Sequence, residues 1–260
     1  MIKKRNYKII NNKQITADYN ILKIQAPEIA EKGKPGQFVH LKINKNNTFD
    51  PLLRRPFSFF DIDKNKGIIK LVYKIVGRGT RILSKYKNGE KINVLGPLGN
   101  GFDLKSDYDK IIVIGGGMGI VPLFMLVKLL KDKFAKFQVL LGANTGNELN
   151  FFIDRFKCEN IHLSIATMDG SIGYKGTVLD LWQNLNSDAK YVYSCGPRTM
   201  LKHIKKYAEN KNIPGQISLE ERMGCGTGVC LSCVCQTRQG NQRVCKEGPV
   251  FPLKEVVLNE

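Results

Sequence analysis

Five of the chain's seven cysteines fall within residues 224–245, and a window that dense needs a chemical reason. Cys225, Cys230 and Cys233 stand at C-x4-C-x2-C with Cys245 beyond them, the plant-type spacing by which four thiolates hold a [2Fe–2S] cluster. Gly224, Gly226 and Gly228 alternate with the first cysteines. Glycine enters φ > 0 without steric cost, so the backbone can curl its N–H groups toward sulfur. A structural zinc site is normally built from paired C-x2-C knuckles, and only one x2 pair is present. A disulfide framework fits less well, because seven cysteines is an odd number in a long chain with no secretory signal. Cys235 is the alternative third ligand; the x2 spacing favours Cys233, and both remain open on spacing alone.

The length of 260 residues accommodates two domains and a small appendage. No apolar run approaches the roughly 18 residues of a membrane span. The basic N-terminus has no apolar stretch behind it, so neither a signal peptide nor a membrane is expected. With free thiols, this points to the cytoplasm. The net charge of +18 raises nucleic acid as a partner. The lysines are scattered rather than clustered, however, and no nucleic-acid-binding motif accompanies them, so none is expected.

Up to about residue 95, short apolar or alternating segments (19–24, 38–43, 56–62, 68–76, 92–95) are separated by polar turns, which predicts an antiparallel β barrel or sandwich. From residue 111 the pattern changes. Ile111-Ile112-Val113-Ile114 reads as a buried strand, followed by Gly115-Gly116-Gly117-Met118-Gly119 and an amphipathic segment over 120–130. Strand, glycine turn and helix form a dinucleotide-binding entry. Strands at 138–142, 161–167 and 191–194 alternate with helical stretches, the last over 198–210, which predicts a parallel sheet covered by helices. The histidines His40, His162 and His203 lie in different elements without metal-ligand spacing and read as structural or solvated. Cys158 reads as an ordinary thiol. No nucleophile–base pair or paired carboxylates are found, so no catalytic residue is assigned.

Several segments resemble the ferredoxin reductase-like family: Arg54-Arg55-Pro56-Phe57-Ser58, Leu71-Val72-Tyr73-Lys74, Gly77-Arg78-Gly79-Thr80, and the turns Pro35-Gly36-Gln37-Phe38 and Gly96-Pro97-Leu98-Gly99. The resemblance implies FAD, held by Arg55, Pro56, Phe57, Ser58, Val72, Tyr73, Lys74, Gly79 and Thr80. An arginine fork suits a phosphate, and a helix starting near Thr80 would aim free N–H groups at the same anion. It also implies a nicotinamide cofactor against Gly115, Gly116, Gly117, Gly119 and the Cys195-Gly196-Pro197 turn. Without the resemblance, Cys195 reads as a small buried apolar residue. The loop Thr167-Met168-Asp169-Gly170-Ser171 departs from the family by placing Met168 where an acid is expected. No basic residue stands in 143–148, so NAD rather than NADP is expected, with Lys175 the one cation that folding could bring near.

Glu220-Glu221-Arg222-Met223-Gly224-Cys225-Gly226 and Cys245-Lys246-Glu247-Gly248-Pro249-Val250-Phe251 resemble most closely the electron-transfer subunits of dihydroorotate dehydrogenase B. That implies three parts: an antiparallel FAD-binding barrel (1–103), a parallel α/β nicotinamide domain (104–219) and a small [2Fe–2S] subdomain (220–260) with Cys225, Cys230, Cys233 and Cys245 as ligands. It further implies an FMN-containing dihydroorotate dehydrogenase catalytic subunit as partner, two copies of each chain, and a role in pyrimidine biosynthesis. The alternatives are the small subunit of a ferredoxin–NADP transhydrogenase or sulfide dehydrogenase, where an aspartate is expected among the ligands, and a redox-sensing module whose cluster signals rather than conducts.

Overall fold

The computed structural model describes residues 2–17, 19–44, 50–105, 108–133, 137–185 and 187–258. The chain forms two compact units. The first comprises 1–101, 220–234 and 243–249, and the second 102–219, 235–242 and 250–260. The cysteine-bearing C-terminal segment therefore contributes to both.

In the first unit the chain runs through β1 (Lys3–Gln14), β2 (Tyr19–Gln25), α1 (Pro27–Lys32), β3 (Phe38–Lys42), β4 (Arg55–Ser58), β5 (Asp61–Asp63), β6 (Ile68–Lys74), α2 (Arg78–Ser84) and β7 (Lys91–Leu98). The strands form one antiparallel sheet in the order β4-β3-β7-β1-β2-β6-β5. It curls on itself: Phe57 of β4 meets Tyr73 of β6 edge-to-face, with ring centroids 5.8 Å apart. The expected segment 56–62 is two strands, broken at Phe59 and Phe60, whose side chains are buried. The long central strand β1 had no counterpart in the sequence reading. It carries mostly polar residues, with only Tyr7 and Ile9 fully inward.

The second unit contains β8 (Ile111–Gly116), α3 (Ile120–Lys133), β9 (Phe137–Ala143), α4 (Asn150–Cys158), β10 (Leu163–Thr167), β11 (Tyr174–Lys175), α5 (Val178–Asn184), β12 (Tyr191–Cys195), α6 (Arg198–Asn210) and β13 (Gly215–Ser218). After them, β14 (Val234–Thr237) and β15 (Gly240–Arg243) form a hairpin, and β16 (Val250–Pro252) closes the series. The sheet order is β11-β10-β9-β8-β12-β13-β16, parallel except for β16, which runs antiparallel to β13. Every residue of β8 is buried, as a strand covered on both faces requires. In α6 the buried residues Leu201, Ile204 and Ala208 recur at helical spacing, so one apolar stripe faces the sheet. No helix is long and apolar enough to cross a membrane among the described residues.

Candidate functional site

In the first unit the flavin motifs converge. Strand β4 aligns Arg55, Pro56, Phe57 and Ser58 opposite Leu41, His40, Val39 and Phe38 of β3. The Arg55 side chain crosses the first turn of α2, with its Nε 3.2 Å from where a Cβ on Gly79 would stand. A side chain at Gly79 would therefore press on the guanidinium, so the Arg55 fork and the helix start occupy one place. The helix begins at Arg78, two residues before the expected start. Thr80 turns back, its Oγ1 accepting from the N–H groups of Val76 (3.0 Å) and Gly77 (3.1 Å). The curl of the sheet brings Tyr73 of β6 against Phe57 of this motif, with Val72 and Lys74 its neighbours on the same strand. Strand β5 pairs β6 only as far as Lys70, and among the described residues no strand pairs the edge from Leu71 to Lys74 on the side away from β2, which leaves backbone donors and acceptors there. Tyr73 is buried and its hydroxyl donates to Asn12 Oδ1 at 2.9 Å; burial pushes its pKa up to about 12. Gln37 ties the two expected turns together, its Nε2 donating to the Gly99 carbonyl at 2.7 Å.

In the second unit, β8 lies where the strand order reverses: β9 and β10 extend to one side, β12 and β13 to the other. Ligands of open α/β sheets bind at that reversal, beyond the carboxyl ends of the strands. There the two predicted turns press together. A Cβ on Gly119 would lie 2.4 Å from the Cys195 carbonyl, and one on Gly116 2.4 Å from the Met200 sulfur. Gly117 adopts φ +52°. Gly115 is packed against Ile120 and Leu123. A cleft of about 510 Å³ opens here, and its lining includes Gly116, Gly117, Ala143, Met168, Thr177 and Pro197. Cys195 is fully buried in β12 behind it. The sequence reading missed the contribution of Thr177 and Asp180, which form a capping box at the start of α5: Asp180 N–H donates to Thr177 Oγ1 (3.1 Å) and Thr177 N–H to Asp180 Oδ2 (2.8 Å). The Thr-x-x-Asp spacing was the available signal. Glu148 and Asp180 line the cleft with His203, and among the described residues no lysine or arginine does. Lys175 instead lays its aliphatic carbons over Gly170.

The cysteine loop packs within the first unit. Cys225 N–H donates to Cys230 Sγ (3.4 Å), and the N–H groups of Thr227 (3.3 Å) and Val229 (3.4 Å) donate to Cys225 Sγ. Cys245 N–H donates to Cys233 Sγ (3.4 Å). Gly226 and Gly228 have φ of +72° and +85°, the conformations expected of them. Arg243 locks the two halves of the loop. Its Nη1 donates to the Gly228 carbonyl (2.8 Å), its Nε to Glu247 Oε2 (2.9 Å), and its Nη2 to Glu247 Oε1. Burial raises the Cys225 pKa, but hydrogen bonds from the backbones of Cys230, Thr227 and Val229 and from the Thr227 side chain outweigh it and bring the thiol down to about 5. Burial, then the neighbouring Cys233, push Cys245 up to about 12. Among the described residues no three metal-ligating side chains converge on a single-ion site. The two cysteine pairs carry sulfur-directed amides of the kind found around iron–sulfur clusters. Cys235 is buried and belongs with the second unit, whereas the other four cysteines of the window belong with the first.

The loop rests on one residue read from sequence as merely structural. His40 is fully buried in β3, and among the described residues neither ring nitrogen has a well-formed hydrogen bond. Its Nδ1 lies 2.5 Å from where a Cβ on Gly226 would stand. Burial, then the Arg54 charge, hold its pKa down at about 4, while the backbone of Cys225 acts in the opposite direction.

Residues 220–257 match the model of the iron–sulfur cluster binding domain of dihydroorotate dehydrogenase B, and residues 6–102 match the oxidoreductase FAD-binding domain. The dihydroorotate dehydrogenase B (NAD(+)) electron transfer subunit of Desulforamulus reducens is 42% identical over 242 residues, 91% of each chain. That of Bacillus cereus strain B4264 is 39% identical over 266 residues, covering 99% of this chain and 100% of its own. Among solved structures, a chain of the NADH-dependent reduced ferredoxin–NADP oxidoreductase superposes with a TM-score of 0.86 at 30% identity, over 97% of this chain and 90% of that one. A ferredoxin NADP+ reductase from Neisseria gonorrhoeae, at 19% identity and a TM-score of 0.66, shares the fold.

Proposed function

The chain belongs to the electron-transfer subunits of dihydroorotate dehydrogenase B, and from that premise we propose that it carries electrons from the FMN of a dihydroorotate-oxidising partner through a [2Fe–2S] cluster and FAD to NAD+. The observation that supports this most directly is the packing of the four-cysteine loop within the same compact unit as the flavin motifs. FAD, when bound, exchanges electrons in pairs with a nicotinamide and singly with an iron–sulfur cluster, which is why it stands between them. The protein's own work is placement. Arg55 and the start of α2 receive the flavin's phosphates, the open edge of β6 receives its ring, and Gly116, Gly117 and Pro197 shape the floor of the nicotinamide cleft. Cys225, Cys230, Cys233 and Cys245 hold the cluster. On this reading the chain works as three functional parts, 1–103, 104–219 and 220–260, pairs with its partner as a heterotetramer of two copies of each chain, and acts in the cytoplasm in pyrimidine biosynthesis.

The second reading, a transhydrogenase-type subunit, has the 0.86 superposition in its favour. Against it stand the lower identity of 30% compared with 42% and 39% and a loop that offers four cysteines. The deciding experiment uses the chain loaded with FAD and iron–sulfur. Alone, it should oxidise NADH with ferricyanide and leave dihydroorotate untouched. Mixed with an FMN-bearing dihydroorotate dehydrogenase subunit, it should confer NAD+-dependent dihydroorotate oxidation. Dihydroorotate turnover by the isolated chain, or no gain on mixing, would sink the proposal.

The cleft also sets the choice of nicotinamide. A 2′-phosphate needs a cation near the adenosine ribose, and among the described residues this cleft offers two carboxylates and no lysine or arginine. NADH should outperform NADPH in kcat/KM by at least tenfold, since an unpaired phosphate facing a carboxylate costs more than ~1.4 kcal/mol. Equal kcat/KM values for NADPH and NADH in the ferricyanide assay would refute it.

A further inference from the structure

His40 stands out among the groups that the function above does not use. It is fully buried, and among the described residues neither ring nitrogen has a well-formed hydrogen bond, with the Cys225 backbone the group that acts on it as an acceptor, in a fold where buried polar groups normally find partners. It is wedged between two functional elements. On its own strand it pairs Pro56 of the flavin motif, and its ring fills the space that a side chain at Gly226 would need. Phe38 meets the ring edge-to-face at 6.1 Å and fixes its plane. A neutral imidazole carries one N–H donor and one acceptor. Here the ring faces the main chain beside Cys225, whose sulfur already takes two backbone N–H bonds.

We propose that His40 is a positioning residue for the iron–sulfur cluster: its imidazole N–H is given to the Cys225 end of the loop, holding that end against the flavin-binding strands and stabilising the reduced cluster. The inference rests on Cys225 being a ligand. Hydrogen bonding around the cluster sulfurs sets the potential, and an N–H dipole aimed at the main chain beside one of those sulfurs favours the more negative, reduced state. Loss of the donor should therefore lower the potential.

The test uses the FAD- and cluster-loaded chain made with 15N-histidine, and compares the native protein with His40→Leu and His40→Gln. In the native protein, pulsed EPR of the reduced cluster should show a weak 15N coupling that disappears in His40→Leu. In a redox titration followed by EPR, His40→Leu should lower the reduced-to-oxidised cluster ratio several-fold at fixed potential; tenfold corresponds to about 59 mV for one electron. His40→Gln, which keeps an N–H, should recover part of that shift. No 15N coupling in the native protein would overturn the proposal even if His40→Leu fails to retain iron. Equal shifts in the leucine and glutamine variants would reduce His40 to a packing residue. Failure of the ligand reading has a different signature, an unaltered cluster spectrum in Cys225→Ser.

Discussion

Serine at Cys225, Cys230, Cys233 or Cys245 will abolish or grossly alter the [2Fe–2S] spectrum, and partner-coupled reduction of NAD+ by dihydroorotate will fall to background. The two sulfur pairs are each tied by a backbone N–H to sulfur, and the Arg243–Glu247 bridge fastens both halves of the loop. A hard alkoxide or neutral hydroxyl in place of one soft thiolate leaves iron a poor ligand in a loop shaped for sulfur. The NADH–ferricyanide reaction should persist in these variants, because the flavin and nicotinamide residues lie elsewhere in the sequence. Cys235→Ser should keep a normal cluster. The reverse result, a normal spectrum in Cys233→Ser and a lost one in Cys235→Ser, would exchange the two assignments. Full coupled activity without a cluster would remove it from the electron path.

Alanine at Gly119 should lower NADH turnover about 100-fold, the usual scale for an ångström of misplacement at a reacting centre, while FAD and iron contents stay at native levels. The new Cβ would stand 2.4 Å from the Cys195 carbonyl carbon and oxygen and 2.5 Å from the Gly196 nitrogen. These are backbone atoms that no rotamer change can move. The glycine turn and the Cys195-Gly196-Pro197 turn must then separate, at about 1–3 kcal/mol of overpacking, and the nicotinamide floor is displaced with them. Gly117→Ala is the instructive contrast. Nothing lies within 4 Å of its Cβ position, so only the φ of +52° is strained, at about 1–2 kcal/mol, and its loss of turnover should be smaller. Steady-state NADH–ferricyanide kinetics decide the matter; equal losses at the two positions would refute the steric account.

Much of this architecture could be read before the structure, for identifiable reasons. Cysteine spacing is local, and a curled loop needs its glycines locally, so the 224–245 window announced itself. The change from short strands to strand–turn–helix alternation at Ile111 was equally plain. What escaped depended on contacts distant in sequence. Strand β1 lies in the middle of its sheet yet turns most of its side chains to solvent, so its sequence lacks an apolar signature. Strand β16 is three residues long and joins the parallel sheet from the far end of the chain. Gly119 was legible as part of a glycine turn, but its need to be glycine comes from Cys195, on another strand. His40 reads as an ordinary core histidine until its ring is seen occupying the space beside Gly226.

The last strand also bears on how such a protein can be cut. After Cys245 the chain leaves the first unit and ends by pairing β16 with β13 in the second, covering what would otherwise be a bare parallel edge. The reductase sheet and the cluster loop are thus braided along the polypeptide rather than strung as beads. A protein engineer who stops the gene at residue 219 to obtain a cluster-free reductase removes the sheet's own margin and exposes a sticky edge. The better graft keeps 250–258 and replaces only the cysteine excursion, so that the module retains its seam while losing its iron.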